Sequence, residues 1–306
     1  MTNTVIELRA LSKRYGGDRG LQATTLEIRR GEIFGFLGPN GAGKTTTIRT
    51  LLGFLRPTSG EARVLGLDVA TRSVDIRRRV GYLPGELVFE PRRTPRDLFA
   101  FYARLRGVQN VAYALDLSRR LDLDVSRPIG ALSKGNKQKV GLVSAFMSRP
   151  ELLILDEPTD GLDPLMQEEV HALIQEARAE GRTVFLSSHV LSEVDRVADR
   201  VGIIRAGELV MVSSVADVKA RLPHRLEIRF AVPVPQAVFA SIEGLRDVRV
   251  LGNVVSCVLA GGADALLKAA SAYPVLDIRG SEPNLEEAFL SFYQAPSGER
   301  GVNHVA

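Results

Sequence analysis

At 306 residues the chain is long enough for a large core and about two domains. It is 45% hydrophobic and 25% charged, and its 40 basic against 36 acidic residues leave a net charge of +4, which does not mark a nucleic-acid binder. A single cysteine, Cys257, excludes an internal disulfide and fits a reducing setting.

No apolar run approaches the roughly 18 residues of a membrane span. The N-terminal stretch from Met1 to Glu7 lacks the basic-then-apolar pattern of a secretory signal. Any role at a membrane is therefore expected to pass through a partner.

Val5-Ile6-Glu7-Leu8 and Leu26-Glu27-Ile28 alternate as strands, punctuated by Gly16-Gly17 and Gly31. Tyr15 falls between them. An isolated tyrosine carries little information, yet this one precedes a glycine-rich loop and can stack an adenine ring; the two readings stand level. Glu32 to Leu37 is a short apolar strand. It runs into Gly38-Pro39-Asn40-Gly41-Ala42-Gly43-Lys44-Thr45-Thr46, after which Thr47 to Leu52 reads as a helix. Strand, glycine-rich loop and helix are the context a G-x-x-x-x-G-K-[ST] phosphate loop requires. Its glycines let backbone amides turn inward, and the helix start adds unsatisfied donors and a positive dipole end. Lys44 reaches the outer phosphates, and Thr45 offers a hydroxyl to Mg²⁺. A nucleoside triphosphate is the expected ligand.

Glu61 to Leu65 returns as a strand, and Val80 to Leu83 is another that runs into Pro84-Gly85-Glu86. From Thr94 to Arg149 the pattern is helical. Thr94-Pro95 starts a helix whose Leu98, Phe99, Phe101, Tyr102 and Leu105 are expected in a core. Ser133 reads as an N-cap in Leu132-Ser133-Lys134-Gly135-Asn136, with a second phosphate-facing helix start as the alternative. Leu152-Leu153-Ile154-Leu155 is the run of a strand buried on both faces, ending in Asp156-Glu157. Carboxylates there need partners. Asp156 suits Mg²⁺ and Glu157 suits a general base for an attacking water. Arg182 to Ser188 is a further buried strand, and His189 stands just past its end, where ligands of open α/β sheets bind. Residues 201–211 read as a closing hairpin.

Together, Tyr15, the phosphate loop, Leu-Ser-Lys-Gly-Asn, Leu-Leu-Ile-Leu-Asp-Glu, Gly161-Leu162-Asp163 and Ser188-His189 resemble an ABC-transporter ATPase subunit over residues 4–215. The pattern is similar to the bacterial ATPases that serve separately encoded drug and antibiotic export permeases. The stretch Ser281 to Leu290 resembles the end of that subfamily. The resemblance implies an α/β fold of the P-loop NTPase type, with a mixed sheet and a helical subdomain at about 94–149. It implies ATP and Mg²⁺ as cofactors and ATP hydrolysis as the activity. ATP would lie against Tyr15 and Gly38, Pro39, Asn40, Gly41, Ala42, Gly43, Lys44, Thr45 and Thr46. Mg²⁺ would lie at Thr45 and Asp156. Glu157, His189 and Lys44 would be catalytic. Ser133 and Gly135 would contact the ATP of a second chain, giving an ATP-dependent head-to-tail homodimer. The partner would be a permease of about six spans, with this chain peripheral at the cytoplasmic face of the membrane and no nucleic acid involved. Two motifs depart from the pattern: Gly85, with Glu86 next, stands where the family has glutamine, and Lys134 and Asn136 replace the usual glycine and glutamine.

Residues 1–220 are thus expected to form the ATPase domain. From 221 to 294 a βαββαβ order predicts a small α+β accessory domain of ferredoxin-like type, ending in a helix over 285–293, with 295–306 as a disordered tail. The alternative function is a soluble ATPase acting on ribosomes or nucleic acid. A single phosphate loop and the absence of heptads weigh against it.

Overall fold

The computed structural model describes residues 3–16, 20–220, 224–259 and 262–281. The first two expected strands are longer than their alternation suggests: β1 (Thr4–Arg14) and β2 (Gly20–Arg29) form an antiparallel hairpin. β3 (Ile33–Leu37) then leads to α1 (Lys44–Leu51), followed by β4 (Ser59–Val64) and β5 (Leu67–Asp68). β2, β1, β4 and β5 lie side by side in that order as one antiparallel sheet.

α2 (Val69–Arg79) connects to β6 (Val80–Leu83). No apolar periodicity announces α2, because its charged, arginine-rich run buries only Val69 and Ile76. The helical stretch contains α3 (Pro95–Arg106), α4 (Ala112–Arg120) and α5 (Lys134–Phe146). Thr94 and Asp97 close a reciprocal capping box at the start of α3, where proline takes the first helical position. Leu98 and Phe99 are buried as expected, but Phe101 and Leu105 are exposed. The core-facing stripe of α3 runs through Leu98, Phe99 and Ala103, and residues 101 and 105 lie one turn apart on a neighbouring face.

β7 (Leu152–Asp156), α6 (Pro164–Ala179), β8 (Thr183–Ser188), α7 (Leu191–Val197), β9 (Arg200–Arg205) and β10 (Glu208–Ser214) complete the first unit. The second sheet has the order β10-β9-β3-β8-β7-β6. Its strands are parallel except for the β9–β10 hairpin, so the sheet is mixed. Every residue of β3, β7 and β8 is buried, which explains the apolar runs 33–37, 152–155 and 184–186. The core lies between the two sheets and α1: Ile6, Leu8 and Ile28 meet Phe34, Phe36, Ile48 and Phe185. The rings of Phe36 and Phe185 are 5.4 Å apart.

The chain divides between Ser214 and Val215 rather than after residue 220, because the helix α8 (Val215–Ala220) belongs to the C-terminal unit. That unit adds β11 (His224–Phe230), α9 (Gln236–Ala240), β12 (Leu245–Leu251), β13 (Val254–Leu259), α10 (Asp264–Ala270) and β14 (Val275–Ser281). Its strands are all antiparallel in the order β12-β13-β11-β14, the connectivity of a ferredoxin-like α+β unit. Ile228, Phe230, Phe239, Val255, Cys257 and Leu266 form its own core. Burial pushes the Cys257 thiol above its ordinary pKa, and the side chain acts as a small hydrophobe. The helix expected over 285–293 and the tail after 294 lie outside the described residues.

Candidate functional site

The phosphate loop links β3 to α1. Gly41 (φ 80°) and Gly43 (φ 112°) take left-handed backbone that a side chain would resist. Gly43 caps α1 without a side-chain hydrogen bond, so the first amides of the helix keep no side-chain partner. The loop forms one wall of a cavity of about 750 Å³. Tyr15, Arg49, Tyr82, Gly85, Asp156 and Glu157 contribute to the other walls.

Lys44 is only 6% exposed. Its Nζ donates to the Gly38 carbonyl at 2.6 Å and to that of Pro39 at 3.4 Å, and lies 3.3 Å from Glu157 Oε1. The Thr45 hydroxyl donates to Asp156 Oδ2 at 3.0 Å, and Ser187 donates to the other carboxylate oxygen. A buried carboxylate with both oxygens bonded escapes the penalty of an unpaired charge. Asp156 and Ser187 are partners in register on β7 and β8. That register is not legible in the sequence, so Ser187 is an addition to the expected site.

Glu157 sits past the end of β7 at φ 51°, unusual for a residue with a Cβ. Its amide donates to the Ser187 carbonyl at 3.1 Å. Its Oε2 lies 2.9 Å from His189 Nδ1. Lys44 on one side and His189 on the other thus hold the carboxylate at the cavity edge. Glu193, on α7, accepts from Thr159 at 2.7 Å and from Ser188 at 3.3 Å, binding together the segments that present Glu157 and His189. Nothing in the sequence singles it out. Tyr82 is a further wall residue that no sequence motif marks. Burial, then the negative charge of Asp156, pushes its phenol up to about 12, with Arg49 opposing, so it stays neutral near pH 7.

Tyr15 is exposed at the cavity mouth, with the Lys13 ammonium 5.5 Å from its ring centroid. Pro39, Asn40 and Thr46 line the cavity; Ala42 is buried behind it. Ser133 and Gly135 lie outside it, at the start of α5, where the Ser133 hydroxyl caps the helix by accepting from the Asn136 amide at 3.3 Å. Lys134 pairs with Asp160 at 2.7 Å. At Gly85 a Cβ would stand 3.2 Å from Asp156 Oδ2, so any larger residue would press on that carboxylate. Glu86 is exposed and lines the same cavity. If Glu86 contacts the metal or the attacking water from this wall, Glu86→Ala lowers Mg²⁺-dependent phosphate release by about a hundredfold or more, the lower end for a positioned acid–base group. Unchanged turnover in that variant removes Glu86 from the site.

A buried lysine beside a glycine-rich helix start suits a polyphosphate. A carboxylate held between a lysine and a histidine suits deprotonation of water.

Comparison with known proteins agrees with this chemistry. Residues 21–160 match the family pattern described as ABC transporter. The chain is 36% identical over 232 residues to the bacitracin transport ATP-binding protein BcrA of Bacillus licheniformis, covering 75% of this chain and 76% of that protein. It is 35% identical to the daunorubicin resistance ATP-binding protein DrrA3 of Streptomyces coeruleorubidus, covering 72% and 71%. Among solved structures, an ATP binding subunit of an ABC transporter superposes with a TM-score of 0.67 at 31% identity, covering 71% of this chain and 93% of that one. A dimeric ATP-binding cassette in a post-hydrolysis state, bound to ADP and Pi, superposes with a TM-score of 0.63 at 21% identity, covering 69% and 98%, and shares the fold. Neither relative is named for ribosomes or nucleic acid, and that alternative is set aside. The chain belongs to the ABC transporter family, as an ATP-binding and ATP-hydrolysing subunit.

Proposed function

We propose that this subunit powers export of an antibiotic-like compound through a separately encoded permease, hydrolysing ATP at two sites that a pair of chains completes. The observation that carries the catalytic half is that Lys44 and Glu157 line one cavity, with His189 bonded to the Glu157 carboxylate from outside it. The triphosphate lies along the loop amides of 38–46 with Lys44 at the outer phosphates, and adenine stacks on Tyr15. Glu157 takes a proton from a water as its oxygen bonds to the γ-phosphorus, and the bridging oxygen departs with ADP. His189 holds the Glu157 carboxylate in line and shields it from bulk water.

The residues fit Mg²⁺. Thr45 Oγ1 and Asp156 Oδ2 are hard oxygen donors 3.0 Å apart. Among the described residues no cluster of three or more His, Cys, Asp or Glu forms a complete cage. One carboxylate and one hydroxyl completed by substrate phosphates is how proteins commonly hold Mg²⁺. When bound, the ion neutralises charge on the phosphates.

The second half of each site comes from Ser133 and Gly135 of the other chain, at a helix start that offers its own amides to the γ-phosphate. ATP then joins the pair and hydrolysis releases it. The dimeric cassette of the same fold supports this reading. The names of the bacitracin and daunorubicin relatives support an antibiotic-like cargo.

No helix among the described residues is long and apolar enough to cross a membrane. A separately encoded permease of about six spans would carry the cargo. This chain would lie against its cytoplasmic side. A groove of about 250 Å³ lined by Phe54, Leu87, Val88 and Tyr102 suits that contact. Val88 is 93% exposed and Phe54 is 52% exposed, an apolar patch of the kind that marks protein interfaces. The groove and the nucleotide cavity share Tyr82 and Pro84, a direct route from one to the other. Val88→Glu is expected to leave ATP turnover of the isolated chain within about twofold, since the side chain is on the surface. The same variant should abolish ATP-driven export in vesicles holding chain and permease. Undiminished export moves the contact elsewhere. For the function as a whole, such vesicles should accumulate an antibiotic-like compound only with ATP; ATP hydrolysis without any ATP-dependent movement of compound counts against export.

A further inference from the structure

We propose that Gln138 is a positioning residue that links the two nucleotide sites through a single chain. It ties the start of α5, offered to the partner's ATP, to the backbone that aims Glu157 at the chain's own. The proposal rests on the two-chain reading of the function.

Gln138 is 5% exposed and lies on the turn of α5 just beyond Gly135. Its side-chain amide donates to two carbonyls, those of Glu157 and Pro158, each at 3.0 Å. These are consecutive peptide units in the bend after β7. Glu157 holds the left-handed backbone that turns its carboxylate between Lys44 and His189, a conformation that persists only where surroundings over-determine it. The Glu157 amide is fixed by the Ser187 carbonyl, and the carbonyl side is fixed by Gln138.

The same helix start grips the next residues of the bend. A Cβ on Gly135 would stand 2.7 Å from the Gly161 carbonyl. The Lys134 ammonium reaches Asp160, but that pair is exposed, and exposed ion pairs hold weakly. The buried, doubly bonded amide of Gln138 is the stiffer tie. A phosphate that pulls on Ser133 and Gly135 therefore moves the Glu157 peptide, and an empty partner site leaves Glu157 less well aimed. No step of ATP hydrolysis itself uses Gln138, and no surface role competes for a side chain so deeply buried.

The test uses the full-length chain, with Gln138→Met, which keeps length and loses the donor, and Gln138→Glu, which sets a carboxylate oxygen against the two carbonyls. Both are checked for a cooperative thermal transition. The expected result is a kcat for phosphate release lowered by about tenfold or more, with KM for ATP within about twofold, because every phosphate-binding group is intact. The Hill coefficient for ATP is expected to fall from above one toward one. Unchanged kcat, a kcat and KM that worsen together, or a preserved Hill coefficient overturns the proposal. Failure of the underlying reading shows separately: a Glu157→Gln chain that stays monomeric in saturating ATP overturns the sandwich and the coupling with it. A paired Glu157→Gln chain beside an unaffected Gln138→Met chain overturns the coupling alone.

Discussion

Glu157→Gln stops phosphate release, by about a hundredfold or more on the range for a general base, and leaves two chains joined around unhydrolysed ATP. The glutamine amide has the shape of the carboxylate, so the β7 bend and the cavity should keep their form. What goes is the group proposed to accept a proton from water, along with the charged partner of Lys44 and His189. Binding and turnover are thereby separated. Gel filtration with saturating Mg-ATP is expected to show a dimer for this variant and a monomer without nucleotide. A monomer in both conditions would count against the shared sites, and normal phosphate release would remove Glu157 from catalysis.

Lys44→Ala fails one step earlier. The ammonium is buried in the phosphate loop, holding the Gly38 carbonyl and facing Glu157. Each charge-assisted hydrogen bond it makes to a phosphate is worth about 1.5–3 kcal/mol, or roughly 10- to 150-fold in affinity. ATP binding, read with a fluorescent analogue, should weaken by at least one such step, and phosphate release should fall to background. The contrast with Glu157→Gln is the informative part: one variant binds and cannot cleave, the other scarcely binds. Unimpaired turnover would mean that residues 38–46 are not the phosphate loop.

Much of this site is legible in the amino-acid sequence because its chemistry is local along the chain. Strand, glycine-rich loop and helix occupy adjacent residues, so Gly38 to Thr46 declare their conformation. Leu152 to Asp156 is legible because burial on both faces leaves no polar residue to interrupt the aliphatic run. The C-terminal βαββαβ order is readable too, since its strands are short, alternating and set off by turns.

The hidden part depends on tertiary placement. Ser187 is a site residue because β8 pairs with β7 in one register. Glu193 and Gln138 matter through bonds to segments 34 and 19–20 residues distant in the chain. Periodicity reports that a helix has an apolar face but not where its edge falls, which is why Phe101 and Leu105 read as core residues and stand in solvent. The domain division after Ser214 is hidden in the sequence because a six-residue helix, α8, carries too weak a pattern to show which unit it belongs to.

Specific activity measured against chain concentration, at saturating Mg-ATP, tests the shared-site account most directly. If two chains are needed to complete each pocket, phosphate released per chain should climb as the protein is concentrated and level off once pairing is complete. A rate per chain that is flat from the most dilute sample upward would mean that one copy hydrolyses ATP alone, and the account would be contradicted.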